Sequence, residues 1–215
     1  MTEMEHRTQL VELGASLFVR GYSVGSAGNI SLRLPDGNIM ATPTNSCLGR
    51  LFARDMSLVD MEGKHLCGPV PTRELPLHLA IYKARLNCNA VVHLHSSYAT
   101  ALSTLADVDP ENALTPFTPY YVMKIGRLPV VPYYKPGTQE LSATAAKIAE
   151  NVNAFLLANH GSVVCGTSLV DAVNSAEELE ETAKLYFLLR SSGRPVRHLT
   201  AKEIADLASH TGVTR

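Results

Sequence analysis

The chain has no C-x-x-C pair, no run of about 18 apolar residues, no basic start feeding an apolar segment and almost no net charge. Each absence removes a class of function. Cys47, Cys67, Cys88 and Cys165 are too dispersed for a zinc knuckle or a disulfide frame, and we read them as reduced core thiols. A formal net charge of −1 supplies no long-range field for nucleic acid or an acidic membrane surface, so an anionic substrate must be gripped locally. With neither a leader nor an apolar span, the expected compartment is the cytoplasm. There is no internal repeat, low-complexity segment or long linker, and 46% of the 215 residues are hydrophobic, ample for one packed core. Residues 1–215 are therefore expected to form a single α/β domain.

What is present alternates between helical and extended patterns. Residues 2–20 carry Leu10, Leu13 and Leu17 at helical spacing, with Thr2 and Glu5 in capping-box register and Gly21 as a stop. A glycine-rich turn then precedes Ile30, Leu32 and Leu34 in alternation, and Asp36-Gly37 returns the chain through residues 39–41, which predicts a hairpin. A second helix is expected over residues 72–86, with Thr72 as its cap and Pro76 tolerable in the first turn. Residues 90–94 form a short apolar strand, and residues 99–105 open either a helix or a loop. Prolines at 116, 119, 129, 132 and 136 favour short strands and extended loops over helix. A helix over 138–150, strands over 154–158 and 162–165, and a long helix over 168–190 complete the pattern. The acidic run Glu177-Glu178-Glu180-Glu181 reads as a solvated face of that last helix.

Chemistry concentrates in three places. His93 and His95 lie two apart around the 90–94 strand, where the period of two turns both imidazoles to one side and leaves room for a metal. His160 closes a buried strand within LLANHGS, where Gly161 permits a tight turn, and is the candidate third ligand. His6, His65, His198 and His210 lie in polar surroundings that suit exposed side chains, and His78, on the same helix as Glu74, reads as a structural partner. Three histidines would leave a tetrahedral zinc one open position, the arrangement of a catalytic site. Glu74, at a helix start, is the candidate acid/base, although a first-turn glutamate commonly serves only the helix dipole. The third constellation, around residues 25–31, 42–46 and 72–73, offers hydroxyls, amides and backbone N–H groups suited to phosphate.

With GNIS, TPTN, PTRE, HLH and ANHG in that order, the sequence resembles the class II aldolase/adducin family over about residues 8–190. The stretches TPTNSCLGRL and YYVMKIGRLPVVPYYKPG are most similar to its branch of 3-oxo-tetronate 4-phosphate decarboxylases. The resemblance implies a three-layer αβα domain around a mainly antiparallel sheet, assembled as a homotetramer with sites at subunit interfaces. It implies one Zn2+ or another divalent metal per subunit on His93, His95 and His160, with Glu74 as acid/base. A phosphorylated small acid sugar would lie against Ser26, Gly28, Asn29, Thr44, Asn45, Thr72 and Arg73, with Tyr133 or Tyr120 supplying a phenol from an adjacent subunit. Arg73, where the aldolases carry a small hydroxyl residue, adds positive charge, and Arg73, Lys124, Arg127 or Lys135 is expected to meet the substrate carboxylate. The implied reaction is decarboxylation to dihydroxyacetone phosphate through an enediolate whose charge the metal would stabilise. A sugar-phosphate aldolase, a 4-epimerase or a dehydratase could use the same frame, and an adducin-like binding domain would lack the ligands.

Overall fold

The computed structural model describes residues 1–211, with side chains described through residue 207; His210 lies outside the described side chains. The first helix, α1 (Glu3–Val19), begins as its sequence dictates. Thr2 stays extended, its hydroxyl accepts from Glu5 N at 3.2 Å, and the Glu5 carboxylate accepts from Thr2 N at 2.7 Å. These reciprocal bonds satisfy two N–H groups that have no partner within the helix. Leu10 and Leu17 are fully buried beneath it.

The strands β1 (Asn29–Arg33) and β2 (Ile39–Ala41) form the expected hairpin, closed at Gly37 with φ 87°. Six more strands follow: β3 (Ser57–Val59), β4 (His65–Cys67), β5 (Ala90–Leu94), β6 (Val130–Val131), β7 (Ala154–Leu157) and β8 (Gly161–Gly166). They make one sheet in the order β4-β3-β2-β1-β5-β8-β7-β6, antiparallel throughout except for the β6–β7 pair. The period of two in each strand divides the core. Ile30, Leu32, Val92, Leu94 and Val164 face α1, α3 (Ser97–Ser103), α4 (Pro119–Lys124) and α6 (Leu169–Ser191). Val91, Val163, Phe155 and Leu157 face α2 (Leu75–Ala84) and α5 (Gln139–Ala149). Helices on both faces of a mainly antiparallel sheet make the expected three-layer αβα arrangement.

Several local expectations are corrected. Thr72 is not the cap of α2: Glu74 occupies the N-cap position, and the Thr72 hydroxyl accepts from Glu74 N one step earlier, at 3.3 Å. The proline-rich stretch contains α4, because Pro119 sits at the helix start where a missing N–H costs nothing, and the Thr118 hydroxyl caps it. The acidic run is not uniformly solvated. Glu180 is buried at 3% exposure, where its carboxylate accepts from Tyr98 N and Ala99 N at 2.8 Å each and so caps α3. Cys67 is exposed on the edge strand β4, while Cys47, Cys88 and Cys165 are buried thiols as expected. His65 and His198 are exposed, but His6 is half-buried. The helix α7 (Ala201–Thr211) had no counterpart in the sequence reading, although Thr200 and Glu203 form its capping bonds.

Candidate active site

His93 lies in the central strand β5, its Cα opposite Asn29 of β1 and Val163 of β8, on the face covered by α2. Its Nδ1 lies 2.8 Å from the Ser162 carbonyl oxygen, which can only accept, so Nδ1 carries a proton and in the neutral ring Nε2 is the nitrogen with the lone pair. His95 follows the end of β5. His160 stands on the β7–β8 turn, which is built from two unusual backbone positions. Asn159 adopts φ 57°, a left-handed conformation that asparagine tolerates better than most residues. At Gly161, φ 159°, an added Cβ would lie 2.3 Å from the Leu94 carbonyl oxygen, so only glycine lets the turn pack against the end of β5.

These elements bring the three rings together, with centroid separations of 4.8, 4.9 and 4.6 Å. His93 Nε2 is 2.9 Å from His95 Nε2 and 3.2 Å from Glu74 Oε2, and His160 Nε2 is 3.5 Å from Glu74 Oε1. One ligand atom from each of Glu74, His93, His95 and His160 lies within 4.8 Å of the others. Glu74 Oε1 is buried without a hydrogen-bond partner. Three imidazole nitrogens and a carboxylate with one oxygen buried and unpartnered fit a divalent cation.

Glu74 does not cap its own helix; its side chain turns to the histidines, and Asn29 Nδ2 donates to its Oε2 at 2.8 Å. Burial pushes its carboxyl upward, but His93, the Asn29 amide and His160 outweigh burial and hold it well below the usual carboxylate range. Burial and the neighbouring His93 lower His95 and His160 to about 4, which leaves both rings neutral near pH 7. In His93 burial is opposed by Glu74 and the Ser162 carbonyl, and the net shift is upward.

Above this cluster a cleft is lined by Ser26, Gly28, Asn29, Thr44, Asn45, Thr72, Arg73, Glu74 and His95, together with Ala27, Pro43 and Ser46. Two loops are laced together to form one wall: Thr44 N donates to Val70 O at 2.9 Å and Thr72 N to Thr42 O at 3.0 Å. Gly28, at φ 80°, passes so close to β5 that an added Cβ would sit 2.9 Å from His93 O. Seven of the eight residues expected on substrate therefore gather in one place, and Asn29 has its amide committed to Glu74. Tyr133 is not among them; it is 65% exposed, as is Tyr120 at 64%. Lys124 is paired with Asp171 at 3.2 Å and Arg127 with Glu111 at 3.4 Å, whereas Arg73 has no ion-pair partner among the described residues. The sequence reading missed Ser162, whose contribution is a backbone carbonyl that no side-chain pattern signals. It also left out Ser46, although the hydroxyl-rich run to residue 46 pointed there.

The family model described as Class II Aldolase and Adducin N-terminal domain matches residues 8–187. The 3-oxo-tetronate 4-phosphate decarboxylase of Escherichia coli K12 is 53% identical over 207 residues, covering 96% of this chain and 97% of its own. The L-fuculose phosphate aldolase of Methanocaldococcus jannaschii is 40% identical over 183 residues, covering 85% of this chain and 96% of its own. The crystal structure of YgbL from Klebsiella pneumoniae superposes with a TM-score of 0.93 at 53% identity, covering 96% of this chain and 99% of that one. Motif order, sheet topology and these likenesses agree: the chain belongs to the class II aldolase and adducin N-terminal domain family.

Proposed function

We propose that this protein is a metal-dependent carboxy-lyase that converts 3-oxo-tetronate 4-phosphate to dihydroxyacetone phosphate and carbon dioxide. The observation that carries the reading is the convergence of Glu74 and three imidazole nitrogens at the floor of a cleft walled by hydroxyls, amides and one unpaired guanidinium. The decarboxylase relative, more similar over more of the chain than the aldolase relative, supports the choice between reactions.

His93, His95 and His160 would hold the ion, zinc in our reading and one per subunit. Such an ion supplies Lewis-acid stabilisation of negative charge developing on substrate oxygen. The chain's own groups do the rest. Ser26, Gly28, Asn29, Thr44, Asn45, Thr72 and Arg73 hold the phosphorylated acid sugar through its phosphate, which fixes the reacting carbons over Glu74. In a 3-oxo acid, breaking the C1–C2 bond releases carbon dioxide and sends the bonding electron pair toward the C3 ketone, which leaves an enediolate. C2 then takes up a proton drawn from water and relayed by the Glu74 carboxylate, completing dihydroxyacetone phosphate. Because an aldolase reaches the same enediolate by releasing an aldehyde, the metal ligands alone do not choose the bond.

We place the enzyme in the cytoplasm as a homotetramer of single-domain subunits, residues 1–215, with Tyr133 of a neighbouring copy reaching the cleft. Four free cysteines suit a reducing compartment, and two exposed tyrosines at 64% and 65% suit an interface. The deciding experiment gives the metal-loaded enzyme 3-oxo-tetronate 4-phosphate and fuculose 1-phosphate and measures carbon dioxide and aldehyde. Carbon dioxide from the first substrate is expected; efficient aldehyde release from the second, with no carbon dioxide from the first, rejects the proposal.

A further inference from the structure

Beneath the cleft, β1 and α2 are joined by a regular series of polar contacts. Asn29, Ser31 and Arg33 point from one face of β1, while Ile30 and Leu32 point to the opposite core. Facing them on α2 and its cap are Glu74, His78 and Tyr82, four residues apart. Asn29 Nδ2 donates to Glu74 Oε2 at 2.8 Å. Ser31 Oγ lies 2.7 Å from His78 Nδ1 and 2.8 Å from Tyr82 Oη. Arg33 Nη2 donates to the Tyr82 carbonyl at 2.7 Å, and its guanidinium stacks 5.2 Å from the Tyr82 ring centroid.

The match is geometric. Two residues of strand advance about 6.6 Å and four residues of helix about 6 Å, so i, i+2, i+4 on β1 stay in step with i, i+4, i+8 on α2. Ser31, His78 and Tyr82 are all fully buried, where a polar group is costly unless paired and where leucine-like contacts would fill the same seam. Apolar contacts tolerate a small slide of a helix along a strand; directed hydrogen bonds do not. Glu74, which makes no capping bond to hold its own side chain, sits at the top of this series.

We propose that the Ser31–His78–Tyr82 cluster is a positioning device: it locks the register of α2 on β1 and thereby sets the Glu74 carboxylate against the three histidines. This inference rests on the reading of Glu74 as acid/base. None of the three residues lines the cleft; they act through Glu74, where a misplacement near 1 Å costs on the order of 10²-fold in rate.

The test uses the metal-loaded enzyme at a temperature well below unfolding. His78→Leu fills the space but removes the central contact, and kcat should fall about tenfold or more while KM and bound metal stay within about twofold. His78→Asn returns a polar atom near the Nδ1 position and should recover most of that loss. Ile81→Val, a fully buried change on the same helix outside the series, should lower the melting temperature and leave kcat unchanged. If His78→Leu does not fold, Ser31→Ala decides in its place. Wild-type kcat in the variant that folds, or a loss in Ile81→Val that tracks melting temperature equally, overturns the proposal. Glu74→Gln separates the two readings: normal turnover there removes the acid/base role itself, whereas a slow Glu74→Gln beside a normal His78→Leu removes only the positioning role.

Discussion

At Glu74 the surroundings do two things at once. Asn29 and two imidazoles hold the carboxyl ionised, and burial without a partner for Oε1 leaves one oxygen facing the site. Glu74→Gln preserves size and most hydrogen bonding, so metal content and KM should hold while kcat falls by on the order of 10²-fold or more, as steady-state assays would show. His93→Ala removes the most buried of the three nitrogen donors and should abolish stoichiometric metal, read by elemental analysis. His78 sits beside them without being a ligand. Burial, reinforced by His93, lowers it to about 3 from 6.5. The folded state therefore refuses a proton that the unfolded chain accepts. Its contribution to stability is intact above pH 6.5 and is lost progressively as pH falls toward 3. At about 1.4 kcal/mol per unit of difference, the loss amounts to several kcal/mol across that window. Urea unfolding at pH 7.5 and pH 5 should show a smaller pH-dependent loss in His78→Asn than in wild type.

At the scale of elements, what matters is how turns and helix ends are built. Gly161→Ala would place a Cβ 2.3 Å from Leu94 O, so the β7–β8 turn must shift and carry His160 with it. Metal affinity should drop at least tenfold by competition with a chelator, with far-UV circular dichroism near wild type. The N-terminus of α3 depends on a carboxylate from another helix: Glu180 accepts two backbone N–H groups, one of them on a fully buried alanine. Glu180→Ala leaves both N–H groups unpaired and should cost about 2–3 kcal/mol in urea unfolding. A helix with a self-contained end signal was legible, as Thr2 with Glu5 demonstrates. The cap on α3 was not, because Glu180 is 81 residues away from the N–H of Ala99. Likewise α4 was obscured by the density of prolines around it, since Pro119 breaks a helix interior but suits a helix start.

For the whole molecule, the question is what completes the cleft. Tyr120 and Tyr133 stand exposed on the segment between α3 and α5, and the Tyr133 loop passes close to the site: a Cβ on Gly137 would be 3.7 Å from the Arg73 carbonyl oxygen. Sedimentation equilibrium should return about four times the 23.3 kDa chain mass. Tyr133→Phe should then reduce kcat/KM in the assembled enzyme without altering assembly; a monomer with full activity would remove the role proposed for a neighbouring copy.

The sequence by itself determined the alternation of strands and helices, the sharing of one face by His93 and His95, and the order of polar loops. Those follow from periods of two and 3.6 and from local turn chemistry, which act between residues close in the chain. Only the tertiary structure decided that His160, Glu74 and the 26–29, 42–46 and 72–74 segments converge, since these contacts join β1, β5, β8 and α2 across long separations. It also decided the fate of individual polar groups: Asn29 on Glu74, Ser162 on His93, Glu180 under α3, His78 on Ser31. A polar side chain names a capacity to bond, and in a packed core the partner is whichever group the fold brings within about 3 Å.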